Sequence, residues 1–315
     1  MKAHAIRTVL VAATVLFSSA ALAEGALIDP SALADSDKVR LQSWISEARK
    51  TDPEPFRVLS QLEREMPEAD AQKRGRFVPV TRSFRSYGAR SLPAIVERLV
   101  FQGGAIRSWT SSAETAFLAG IVQVLGEFVD TRTEPVLHAL LDAPTVTEFH
   151  LVYTTAGALG WHGTAAAERH LLEAASQVNE RQFGVLAGLG RLHTVSAIET
   201  VSMALDSETV PSRRKWLVRA IRDAGNRGYW RQARKRNQGA DENSVRLAAM
   251  QALVKAFVSS QHDVQLAAAN GIMVVDHPET DAALSAAAST ADIEVVRKIE
   301  RLQQRFANPP LMRRR

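Results

Sequence analysis

The sequence predicts an all-α chain, an α-solenoid of stacked antiparallel helix pairs that follows a cleaved signal peptide. Three observations carry that expectation. Apolar side chains recur at helical offsets ahead of regularly spaced glycines. Alanine and leucine dominate a composition that is 46% hydrophobic but only 6% aromatic. A β-sandwich would want more valine, threonine and tyrosine at alternating positions.

The first element is residues 1–23. Lys2 and Arg7 precede the apolar run Val9 to Phe17, and Ala21-Leu22-Ala23 precedes the charged Glu24, which are the three parts of a signal peptide in order. The run is too short to span a bilayer, so the expectation is export, a mature chain beginning at Glu24, and a periplasmic or secreted location. Losing Lys2 and Arg7 takes the formal charge from +5 to +3. The chain has no cysteine, which excludes disulfides, thiolate metal sites and a lipid-modified N-terminal cysteine. No later stretch is apolar enough to cross a membrane.

Residues 24–72 read as an N-terminal helical cap. Asp35 or Ser36 caps a helix running to Arg49, and Asp52-Pro53 opens a second through Glu65. Such a hairpin covers the otherwise exposed face of a first repeat.

Residues 73–306 read as the repeats. Phe77, Val80, Phe84 and Tyr87, then Leu92, Ile95, Val96 and Leu99, suggest an early pair. Gly126, Gly160, Gly190 and Gly225 follow, 34, 30 and 35 residues apart. At one, four, five and eight residues before them stand Leu125, Val122, Ile121 and Leu118; Leu159, Ala156, Thr155 and Val152; Leu189, Leu186, Val185 and Gln182; and Ala224, Ile221, Ala220 and Leu217. Those offsets share one helix face, and each glycine is expected to end its helix as a left-handed cap. Second amphipathic segments carry Leu137, Leu140 and Leu141, then Leu171, Leu172 and Ala175, then Ile198, Val201 and Leu205. A helix pair cannot bury its own apolar face, so the pairs must stack. Val245 to Val258 leaves too little room for a full pair before Val264 and reads as a degenerate repeat. Ala268, Gly271, Ile272 and Val275 then fit again, with Asp276 in the glycine's place. Ile293, Val296 and Ile299 mark a closing helix, and residues 307–315 a basic disordered tail.

The wording A-x-A-L-G at Ala156 to Gly160, followed by A-x-x-x-L-L at Ala167 to Leu172, resembles HEAT-like repeats of the shorter bacterial type, over roughly residues 77–306. The resemblance implies the solenoid fold and says far less about function. Deoxyhypusine hydroxylase shares such repeats and holds two irons with His-Glu pairs; this chain has no His-Glu pair. The bilin lyases, which also share them, bring no catalytic residue that can be placed here.

His138, His150, His162, His170, His193, His262 and His277 are numerous, yet no two stand at i and i+4 and H-E-x-x-H is absent. His162 and His170 bracket a turn near Glu168 and Glu173; His162 is expected as a turn residue and His170 as partly packed. A G-x-S-x-G elbow, a Gly-Lys phosphate loop and a dinucleotide fingerprint are absent. The expectation is therefore no enzyme, no cofactor and no metal.

Charge is concentrated. Residues 213–236 hold ten basic side chains and one acid, Asp223, and residues 71–96 are acid-free with six cations. Within GYWRQARKRNQ, the residues Tyr229, Trp230, Arg231, Arg234, Lys235 and Arg236 form the candidate binding site, a basic aromatic loop whose rings anchor an interface while the cations meet carboxylates or phosphates. Export argues against nucleic acid. The chain reads as a non-catalytic binding or scaffold protein of the cell envelope that recognises a partner protein. The alternatives are a binder of anionic glycan or lipid head groups and a metal-dependent enzyme.

Overall fold

The computed structural model describes residues 27–102, 109–235, 241–260 and 262–307, and of 232–235 the backbone alone. The expected signal peptide, and residues 308–315 of the expected tail, lie outside the described residues. Every element among them is helical, with no strand. None of these helices is long and apolar enough to cross a membrane.

In chain order the helices are α1 (Asp35–Thr51), α2 (Glu54–Gln72), α3 (Leu92–Val96), α4 (Ser111–Glu127), α5 (Glu134–Asp142), α6 (Phe149–His162), α7 (Ala165–Ser176) and α8 (Gln182–Gly188). They continue with α9 (Val195–Ser207), α10 (Pro211–Gly225), α11 (Arg227–Lys235), α12 (Glu242–Ser259), α13 (His262–Val275), α14 (Thr280–Ala288) and α15 (Ile293–Ala307). Three begin on the same device: Thr110, Thr164 and Thr194 each accept, through Oγ1, the amide of an alanine three residues on, at 3.1, 3.0 and 3.3 Å. This satisfies one of the amides that a helix start leaves without an intrahelical acceptor.

Packing follows chain order in two rows. α4, α6, α8, α10 and α13 each lie against the next, and α5, α7, α9, α12 and α14 line up behind them. α1 packs on α3, α2 on α3 and α4, and α15 on α14. The inward faces read from the sequence are buried: Leu118, Ile121, Val122 and Leu125 in α4, Val152, Ala156 and Leu159 in α6, Leu217, Ala220, Ile221 and Ala224 in α10. Burial of this kind, at roughly 25 cal/mol per Å² of apolar area, is what holds a cysteine-free chain together.

The spaced glycines do something other than cap. Gly126 and Gly160 lie inside α4 and α6, and none of the four has a positive φ. Instead each faces the next element at a distance that leaves no room for a side chain. An added Cβ would stand 2.8 Å from Ala158 Cα at Gly126, 3.0 Å from the Arg191 and Leu192 backbone at Gly160, and 2.7 Å from the Ala220 carbonyl oxygen at Gly190. At Gly225 it would meet Ala249 Cβ at 2.6 Å. The period therefore marks contacts between neighbouring helices. The left-handed cap of α6 is Gly163, at φ 61°, and the expectation at Asp276 holds, since it takes φ 49° just beyond α13.

Gly190→Ala is expected to cost about 1 to 3 kcal/mol, because backbone atoms cannot give way as a side-chain tip can. Gly75→Ala is the control: its Cβ would meet nothing nearer than 4.0 Å, and the change should stay within about 0.5 kcal/mol. Equal losses in denaturant titrations would remove this account of the glycines.

Three further expectations are corrected. Val80–Phe84 and Gly88–Ser91 are short 3-10 turns rather than one helix over Phe77 to Tyr87; Pro79 at the start and the left-handed Gly88 at the end break the α ladder. α1 starts beside Ala34, with no side-chain cap from Asp35 or Ser36, and α2 runs past Glu65 to Gln72. The segment from Val245 is no degenerate repeat: α12 is a long helix packed on α9, α10 and α13, and the irregular spacing comes from α11, inserted between α10 and α12.

Candidate functional site

Helix α6 places Phe149, Tyr153, Gly157 and Trp161 at four-residue steps, hence along one face. Gly157 is the gap in that row. A Cβ there would stand 3.4 Å from Arg191 Cγ, so the arginine stem crosses α6 where no side chain opposes it. The Arg191 guanidinium carbon then lies 4.2 Å from the Tyr229 ring centroid and 5.6 Å from that of Trp161. Its Nη2 is 3.7 Å from Asp223 Oδ2, while Arg222 holds the same carboxylate at 2.6 Å. Burial disfavours the Arg191 cation, but Asp223 and Tyr229 outweigh it and hold its pKa above the ordinary arginine value. Burial also raises the Tyr153 phenol, against the opposing pull of Arg191. Tyr153 is therefore a neutral hydroxyl at neutral pH.

These groups surround a cleft of about 530 Å³, within the usual size of small-ligand pockets. Phe128, Tyr153, Trp161 and Tyr229 line it together with Gly126, Gly157 and Ala158, and Arg85, Gln123, Glu127 and Thr154 add polar groups. Past Tyr153 and Arg191 a second depression of about 320 Å³ carries Trp216 and Arg219. Trp216 also borders a third, of about 520 Å³, with Arg76, Phe183 and Arg213. The row spans α4, α6, α8, α10 and α11.

The sequence-derived site is divided by the structure. Its segment is helix α11, not a loop. Tyr229 lines the cleft, half-buried, and Arg231 is exposed. Trp230 has no exposed surface: its Nε1–H donates to the Ala224 carbonyl at 3.0 Å and its ring meets that of His193 at 5.1 Å. A side chain sealed in the core cannot anchor an interface, so the expectation for Trp230 is corrected. Arg234 and Lys235 lie on the helical backbone, but their side chains, and Arg236 altogether, fall outside the described residues.

Several of the described cations of the basic run have structural partners. Arg214 donates to the Leu205 and Glu208 carbonyls and to Ser260; Lys215 pairs with Asp263 at 2.8 Å, Arg227 with Asp276 at 3.1 Å, and Arg213 with Glu208 at 3.1 Å. Arg214 is thereby tied into the fold, whereas Arg213 and Arg227 keep 48% and 67% of their side chains exposed despite their pairs. Conversely, the sequence reading missed Tyr153, Trp161, Arg191 and Trp216. The visible signal was the aromatic row of α6, interrupted by a glycine.

The histidines do gather, without the helical ligand spacing sought. His138 Nδ1 and His170 Nδ1 are 2.6 Å apart, His170 Nε2 is 2.9 Å from Asp142, and His138 Nε2 is 3.6 Å from Glu134. His162 is a core residue rather than a turn residue, with a 1% exposed side chain 3.9 Å from Glu134. Among the described residues, no group of three or more metal-ligating side chains is arranged to hold a metal ion.

Burial, and then His170, lowers the His138 pKa, with Glu134 and Asp142 opposing. Burial and Arg246 lower that of His277. The unfolded chain therefore takes up protons first, and stability that is complete above about pH 6.5 falls as pH drops below it. The melting temperature should decline between neutrality and pH 5, ahead of carboxylate protonation, and His138→Gln should flatten part of that slope. A flat or rising profile would contradict it.

No protein-family model matches the chain, and no curated protein matches it.

Proposed function

We propose that the chain is an exported α-solenoid of HEAT-like repeats that serves as a non-catalytic binding or scaffold protein of the cell envelope. Its helix pairs hold a recognition cleft rather than a reaction centre. The row order of the helices and the glycine contacts between neighbours support the solenoid. The signal-peptide pattern of residues 1–23 supports export. One observation carries the binding reading: Arg191, enclosed by Tyr153, Trp161 and Tyr229, faces a concave cleft built from several successive helices. Aromatic and arginine side chains converging in a concave site are the usual makings of recognition.

On this reading a partner protein binds along the cleft and its neighbouring depressions, with Tyr229 the member of the α11 site that takes part. A second reading, an anionic glycan or lipid head group, is favoured by the arginine content of the row. Affinity capture from an envelope fraction tests the proposal. An envelope component should be retained by the wild type and lost with Arg191→Gln, while a variant at the exposed Arg297 of α15 retains it. Retention indifferent to Arg191 would end the cleft reading, and an intact Met1 on the exported chain would end the export reading.

A further inference from the structure

We infer that the groove made by the Arg191 cleft and its two neighbouring depressions takes an extended acidic segment of the partner protein, with a carboxylate at every second residue. The inference rests on the binding reading of the cleft and adds the chemistry and conformation of the occupant. The three depressions follow one another along the helices rather than across them. On α6, Phe149 borders the third, Tyr153 the second and Trp161 the first; on α8 and the turn after it, Phe183, Ala187 and Arg191 keep the same order. On α10, Arg213 borders the third, Trp216 both it and the second, and Arg219 the second. From Phe149 to Trp161 the α6 axis advances about 18 Å, at about 1.5 Å per residue. That is the length of about five residues of extended chain.

Each depression holds an arginine that has no carboxylate partner among the described residues: Arg85 in the first, Arg219 in the second and Arg76 in the third. The other arginines named here are engaged, Arg191 and Arg222 with Asp223 at 3.7 and 2.6 Å and Arg213 with Glu208 at 3.1 Å. The Arg219 and Arg76 guanidinium carbons each lie 5.4 Å from a ring centroid, over Trp216 and Phe77. A planar fork suited to a carboxylate is thus set beside apolar surface. An extended chain returns its side chains to the same side about every 6.6 Å, so a five-residue stretch with acids at alternate positions offers one carboxylate to each depression. Glu180, exposed and without a partner among the described residues, borders the third depression with Arg76. A carboxylate there disfavours a polyanion charged at every step, such as a sulfated glycan or a nucleic acid. It suits a peptide, which alternates acids with neutral residues and has main-chain N–H groups to donate.

Calorimetric titration of the full mature chain tests this with four probes: a ten-residue peptide alternating glutamate with leucine and proline, the same peptide with glutamine for glutamate, a chondroitin sulfate oligosaccharide and oligothymidylate. The glutamate peptide should bind, and the glutamine peptide at least about 10-fold more weakly. Arg219→Gln and Arg76→Gln should each weaken glutamate-peptide binding several-fold. Their melting temperatures should stay unchanged, because neither side chain has a hydrogen bond or ion pair among the described residues. Arg297→Gln, on α15, should change neither quantity. Equal binding of the two peptides, or glutamate-peptide binding indifferent to both groove variants, overturns the inference. Oligosaccharide or oligothymidylate binding that needs Arg219, with no peptide binding, overturns the acidic segment and leaves the groove standing as a site. If no probe binds the inference also fails, and envelope capture by the wild type against Arg191→Gln decides the binding reading separately.

Discussion

Replacing Trp230 with alanine should cost about 3 to 5 kcal/mol of stability, the range for emptying a large buried aromatic site. The indole is fully enclosed, and its N–H is bonded to the carbonyl of Ala224 near the end of α10. Truncation therefore leaves a cavity and removes a donor from a buried acceptor. His193 Nδ1 lies 3.0 Å from the same oxygen, so the loss reaches the contact between α10 and the turn after α8. Total stabilities are on the order of 5 to 15 kcal/mol, and the melting temperature should fall accordingly. Trp230→Phe keeps most of the packing and should lose only the hydrogen-bond share, about 1 kcal/mol. A Trp230→Ala variant that melts normally but loses its ligand would restore this residue to the surface and refute its place in the core.

Leu125→Ala should cost about 2 to 5 kcal/mol, the lower end applying only if neighbouring helices collapse into the space. They have little freedom to do so. Leu125 is fully buried in α4, and the adjacent Gly126 already sits so close to α6 that a Cβ on it would stand 2.8 Å from Ala158 Cα. The cavity should therefore persist. Equilibrium denaturation of the purified variant gives the number, and a loss below about 1 kcal/mol would mean that the face is not the packed seam between α4 and α6.

The all-helical class and the inward faces were legible because helical periodicity alone decides which side chains share a side. Leu118 to Leu125 and Leu217 to Ala224 are examples. Periodicity is silent about what a face meets, which is why Gly126 and Gly190 looked like caps and are contact points. It is equally silent about direction for a lone aromatic among cations: Trp230 read as an interface anchor and turned inward. Arg191 was invisible because its site depends on Tyr153, Trp161 and Tyr229 arriving from other helices, and only the three-dimensional register of those helices brings them together. His138 and His170, 32 residues apart in sequence, met for the same reason.

Tyr229 and Trp230, neighbours in α11, point to opposite fates, one into the cleft wall and the other into the core. Mutational drift is therefore expected to be uneven around the cleft. Changes along α11 run at once into a residue the fold cannot release, and changes at Arg191 disturb Asp223 and both phenols. Arg85 and Gln123, exposed at the rim, carry no such burden. On the proposed binding role, divergence in ligand preference among descendants of this chain would accumulate on that side first, leaving the α11 wall as its slowest-changing part.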